Sequence, residues 1–178
     1  GGGHEHDLLN DSKYASLKAD CAAGKYAAMM IAFPCSTSSV TRFFDASDAS
    51  KGLDRGPLPI RTRSHPDGLP AEQLSSEQQH ELDNVTRLLE RTVELAIIAN
   101  LSSAKTTIIF ENPADRSIRG TEQYGDGKLS EHGSIFATSA FKRLESALGG
   151  MSSCTFALCR FGPKSQKYTT LYYTRDAS

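Results

Sequence analysis

Two short segments carry the residue types that could do chemistry. Phe33-Pro34-Cys35 ends one apolar run, and Phe110-Glu111-Asn112-Pro113 ends another. A thiol becomes a nucleophile as its thiolate, and the hydroxyls of Ser36, Thr37, Ser38 and Ser39 with Arg42 stand close enough in sequence to stabilise one. Cys35 alone reads more simply as a structural thiol. Glu111 directly follows Ile108-Ile109-Phe110, which sets it at the edge of an apolar core. Burial of a carboxyl favours its neutral, proton-donating form. Loop capping, or pairing with Arg116 or Arg119, is the alternative. Together, a thiol and a proton-donating acid fit attack on an electron-poor ring. The thiolate adds to a ring carbon while the acid engages a ring nitrogen, which is the logic of pyrimidine C5 methylation. A base inside a duplex must first be flipped out to reach such a pair. His65, His80 and His132 fall in loops or at a helix start, and no spacing marks one as the partner of Cys35. A cysteine-dependent hydrolase stays open, because its partners need only be adjacent in space.

The elements that must position these residues follow from pattern. Residues 12–23 predict a short helix with Gly24 as its stop. Residues 26–33 (YAAMMIAF) are a continuous apolar run, short enough for a strand buried on both faces. Residues 34–78 are rich in Ser, Asp, Gly and Pro and show no period, so they predict a long loop over the site. Ser75 or Ser76 caps a strong helix in which Leu82, Val85, Leu88, Leu89, Val93, Ala96 and Ile97 recur at helical spacing. Thr106–Phe110 is a second β-branched strand, and residues 137–148 are a helix closed by Gly149-Gly150. Residues 154–161 and 168–174, joined by residues 162–166, predict an antiparallel hairpin.

Alternating strands and helices predict a doubly wound α/β domain, with a mostly parallel sheet, helices on both faces and an antiparallel C-terminal strand pair. Ligands of such sheets bind beyond the carboxyl ends of the strands. Cys35 and Glu111 both sit at such ends, on strands that follow one another.

With 178 residues the chain holds one domain rather than two. Its 20 basic and 21 acidic side chains nearly cancel, so any nucleic-acid contact must come from a local patch. Arg42, Lys51, Arg55, Arg61 and Arg63 make one candidate patch in the long loop, a set of phosphate-holding cations diluted by Asp45, Asp48, Asp54 and Asp67. An ordinary solvated loop is the other reading. Cys21, Cys35, Cys154 and Cys159 have no zinc-site or secreted-framework spacing, and no apolar run spans a bilayer. These features predict a reduced, intracellular protein with no membrane partner and no metal. His4-Glu5-His6 is read as part of a flexible terminus.

Four motifs in order carry a resemblance. Phe33-Pro34-Cys35-Ser36 resembles the Pro-Cys motif of DNA cytosine-C5 methyltransferases, and Phe110-Glu111-Asn112-Pro113 resembles their Glu-Asn-Val motif. Gly56-Pro57-Leu58-Pro59-Ile60-Arg61, and Cys159-Arg160-Phe161-Gly162 leading to Lys167 and Thr169, resemble two further motifs of a divergent group of such proteins found partly in mobile-element open reading frames. The likeness runs over residues 6–174. It implies the catalytic half of a Rossmann-like methyltransferase, S-adenosylmethionine as cofactor, and a nucleic-acid substrate, DNA by family habit, with a nuclear location in a eukaryote. It also implies Cys35 as nucleophile, Glu111 on the pyrimidine N3, and Asp7, Phe33 and Pro34 beside the cofactor. The chain departs from the family in three ways. The glycine-rich cofactor loop is missing, so the front segment of the fold is expected to be lacking. Asn112-Pro113 replaces Asn-Val, and the family's late Arg-x-Arg pair has no clear counterpart, since Arg61-Thr62-Arg63 precedes Glu111. A catalytically inactive relative that binds nucleic acid or a protein partner is the alternative these gaps imply.

Overall fold

The structure is a computed structural model that describes residues 7–44, 56–157 and 167–174. In these residues the main elements run in the order α1 (Asp11–Ala22), β1 (Ala28–Ala32), α2 (Ser76–Leu101), β2 (Thr107–Pro113), α3 (Ser139–Ala147), β3 (Ser152–Ala157) and β4 (Tyr168–Tyr173). Every helix and strand anticipated from pattern is present.

The helix ends follow from local chemistry. Asn10 Oδ1 accepts from the Lys13 amide and starts α1. Gly24 lies just past its end at φ +67°, a conformation that strains any residue with a Cβ. Ser75 and Gln78 form a reciprocal capping box at the start of α2. Thr138 accepts from the Phe141 amide at the start of α3. Tyr14 of α1 bonds Glu94 of α2, and burial with that bond pushes the phenol up to about 12. Arg91 of α2 donates to Leu8 O at 2.7 Å, so α1 is tied to α2 at its entry.

The strand order is β1-β2-β4-β3. β1 and β2 are parallel, and β4 is antiparallel to both β2 and β3. β3 and β4 are therefore the anticipated antiparallel pair, while their linker, 162–166, lies outside the described residues. The described residues thus form a mixed α/β fold with one four-stranded sheet and three helices.

The sheet differs from expectation in two respects. Only one of its neighbouring pairs is parallel. The described helices all contribute to a core on one sheet face: Cys21 of α1, Leu89 and Val93 of α2, and Phe141 and Leu144 of α3 meet Ile31, Ile108 and Phe110. The Phe110 ring lies 5.3 Å from that of Phe141 and 6.1 Å from that of Phe33, centroid to centroid. Strand side chains alternate, so the even positions of β1 leave the opposite face. Met30 there is 60% exposed, and the reading of β1 as buried on both faces is corrected.

Candidate active site

The parallel register sets Ala32 of β1 beside Glu111 of β2. Three residues beyond Ala32 comes Cys35, a free, half-buried thiol. The two candidate catalytic residues therefore stand at the same end of adjacent parallel strands. They differ in surroundings. Ile108, Phe110 and Asn112 are buried, whereas Glu111 is half-buried and shares with Ala32 and Leu171 the face opposite the described helices. Glu111 is half-buried between buried Phe110 and Asn112, because the period of two sends its neighbours into the core and leaves Glu111 on the other face.

Past Pro34 the chain turns. Cys35 precedes a single 3₁₀ turn, Ser36–Ser38, and its carbonyl accepts from the Ser38 amide at 3.0 Å. Four buried side chains hold this turn. Asn112 Nδ2 donates to Phe33 O at 2.8 Å. Arg42 Nε donates to Ser36 O, and Arg61 Nε donates to Thr37 Oγ1 at 3.2 Å. His132 Nε2 donates to Ser38 O at 2.8 Å. Both flanks of Cys35 are gripped, and none of these bonds involves its thiol.

The two arginines are spent on the protein. Arg42 also donates to Leu58 O at 2.8 Å and pairs with Glu81. Arg61, 1% exposed, adds Pro66 O at 2.7 Å and Thr86 Oγ1 at 2.9 Å. All three Arg61 acceptors are neutral. Burial pulls its guanidinium below the ordinary range, opposed by attraction to Asp67. Neither side chain is free for phosphates, so that expectation is corrected for Arg42 and Arg61. A cation costs too much to bury without several acceptors, and here loop carbonyls, the Thr37 and Thr86 hydroxyls and the Glu81 carboxylate supply them. Arg63 is exposed, and Lys51 and Arg55 lie outside the described residues.

His132 is 1% exposed. Its Nδ1 accepts from the Arg116 amide at 3.2 Å, which assigns the proton to Nε2 facing Ser38 O. Burial holds the imidazole below its ordinary value of 6.5 and Arg116 adds to this, while Ser38 O and Asp115 oppose. Gly133 makes the placement possible. A Cβ there would come within 2.6 Å of the Arg61 backbone, against which the Thr62–His132 bridge holds the chain.

An apolar cavity of about 310 Å³ runs beside β1, lined among others by Leu8, Leu17, Met29, Phe33 and Pro34. Two of the three residues expected beside a cofactor thus line one cavity. The third, Asp7, is exposed and accepts from the Leu9 amide at 2.8 Å, next to the lining Leu8.

A hydrolase would require a histidine on Cys35. His65 bonds Ser64, His80 bonds Asn84, and both His132 nitrogens are engaged, so among the described residues no histidine hydrogen-bonds that thiol. Among the same residues no cluster of His, Cys, Asp and Glu is disposed to hold a metal, and no helix is long and apolar enough to cross a membrane. His4, Glu5 and His6 lie outside them.

Sequence reasoning missed Asn112, Arg61 and His132 as the holders of the Cys35 turn. The alternation Ile108, Phe110, Asn112 was a signal for the first. The pair His132-Gly133 was a weak one for the last, since glycine permits close backbone approach.

No protein-family model, curated protein or solved structure matches this chain.

Proposed function

We propose that this chain is the catalytic half of a nucleic-acid methyltransferase domain of the cytosine-C5 type, related to the doubly wound fold. The observation that carries the reading is the common position of Cys35 and Glu111 at the ends of β1 and β2, with Ala32 and Glu111 in register. Cys35 adds as a thiolate to the ring carbon next to the carbon that is modified. Glu111 engages the ring nitrogen, which draws electrons away from that carbon and favours addition. The target base is flipped out of its stack to reach the pair. Exposed Arg63 is the described member of the basic loop that remains to meet phosphate.

S-adenosylmethionine would supply the methyl group. The described residues suit its apolar end only. The cavity walled by Leu8, Phe33 and Pro34 takes a flat, uncharged ring. Among the described residues no glycine directly follows the end of β1 or of β2, where such a cofactor's charged end is expected: residues 33–38 follow the first and residues 114–117 the second. The chemistry assigned to this chain therefore stops at base capture. That same lack favours a second reading, a methyltransferase-shaped module that binds nucleic acid or a protein partner without reacting.

The test is a binding titration with duplex oligonucleotides, in which one cytosine is either paired or mismatched. The mismatched site is expected to bind more tightly, because a mismatch lowers the cost of flipping, and affinity should fall as salt rises. Equal affinity for both duplexes at all salt concentrations would contradict base capture.

A further inference from the structure

The turn that carries Cys35 is held by side chains from three separate parts of the chain, and His132 bonds the backbone beyond both strand tips. Its Nε2 donates to Ser38 O, three residues after Cys35. Its Nδ1 accepts from the Arg116 amide, five residues after Glu111. One buried ring thus bridges the backbone that follows the thiol and the backbone that follows the carboxylate. Its place is fixed on a third side by the Thr62–His132 bridge and on a fourth by the Phe43 ring, edge-on at 5.8 Å. We infer that His132 is a positioning residue, which sets the Cys35 turn against the tip of β2 without touching the thiol. The inference rests on the reading of Cys35 and Glu111 as the reacting pair, but its geometry does not depend on the substrate.

A mere core residue would be replaceable by any side chain of similar volume. A bridge needs a donor at one end and an acceptor at the other. Glutamine can place an amide N–H near the position of Nε2 and so keep the bond to Ser38 O. Asparagine is one carbon shorter. It can place an oxygen near Nδ1 and keep the Arg116 bond, but it cannot reach Ser38.

The experiment compares His132→Gln and His132→Asn with the parent chain by two readouts: hydrogen exchange of the Ser38 amide, and the rate at which iodoacetamide alkylates each cysteine. Exposed Cys154 on β3 is the internal control. In the asparagine variant the Ser38 amide, which donates to Cys35 O across the turn, is expected to exchange about 10-fold faster, because the turn opens more readily without the His132 bond to Ser38 O. Its Cys35 should be alkylated faster relative to Cys154, with the β2–β4 amides still protected. The glutamine variant should return both readouts to within about 2-fold of the parent, since it keeps that bond. Two results would overturn the inference. One is equal behaviour of the two variants at Ser38 and Cys35. The other is a loss of protection over β2 and β4 in step with Ser38, which would make His132 a general core residue. Neither readout uses nucleic acid, so a failure of the methyltransferase reading shows in the oligonucleotide titration and leaves this result standing.

Discussion

The two faces of the sheet differ in what they hold. On one, Ile31, Ile108 and Phe110 are sealed under α1, α2 and α3. On the other, Met30 is 60% and Tyr173 37% exposed, and Glu111 lies half-buried between Ala32 and Leu171. The first face accounts for stability and the second bears the candidate acid. The strand tip joins them. Asn112, on the core side, holds the carbonyl of Phe33 while its neighbour Glu111 stays on the side opposite the described helices. One dipeptide thus contributes a structural bond and a chemical group on opposite faces, because a strand's period is two.

The contrast can be broken most strongly at Phe110. Phe110→Ala is expected to lower unfolding free energy by about 3–5 kcal/mol, whereas Ile109→Ala on the open face should cost about 1 kcal/mol. Chemical denaturation measures both, and equal losses would mean that the faces do not differ. Next in size is Arg61→Ala, at about 2–3 kcal/mol, because its neutral acceptors lose a charged donor inside the protein. Arg63→Ala, at an exposed position two residues on, should fall within about 0.5 kcal/mol by the same assay.

His132 sharpens the comparison through pH. Its folded-state pKa lies below the ordinary 6.5, so between the two values the unfolded chain binds more protons. Its neutral burial is fully tolerated above 6.5, and stability is lost as pH falls through 6.5 toward the folded value. The slope from one such group is at most about 1.4 kcal/mol per pH unit. Denaturation curves of parent and His132→Gln should therefore converge in slope above neutral pH and diverge below 6.5, with the parent steeper. Parallel curves over that window would show that the ring takes up its proton without strain. The smallest effect is expected at the site itself. Cys35→Ala should leave stability within about 1 kcal/mol, since the half-buried thiol makes no hydrogen bond in the turn.

Much of the fold was legible because its signals are local. The capping box at Ser75, the helical recurrence from Leu82 to Ile97 and the β-branched run before Glu111 each depend on neighbours in sequence. Which strand faces are covered is a tertiary fact. The apolar run 26–33 gave no warning that Met30 would lie open, since a continuous apolar run shows no alternation to read. The long loop hid the most. Arg42 and Arg61 look like solvated cations in sequence, and their burial depends on carbonyls at Leu58 and Pro66 and hydroxyls at Thr37 and Thr86 that only folding brings together. Cys35 and Glu111 were legible as a pair because each interrupts the end of an apolar strand. His132 was not, because its two partners lie on backbone that carries no sequence signal.

The central claim is that Cys35 captures a pyrimidine base, and it is open to a direct measurement without cofactor. Addition of the thiolate to C6 of cytosine moves an electron pair to C5, which takes a deuteron from heavy water. Loss of the original C5 proton and expulsion of the thiolate then return the base with deuterium at C5. Proton NMR of an oligonucleotide with one mismatched cytosine, incubated with the protein in heavy water, reads this as loss of the H5 signal of that base alone. The account predicts that the parent chain exchanges H5 and that Cys35→Ala does not. An H5 signal that persists with the parent chain, or that is lost equally with Cys35→Ala, would contradict it.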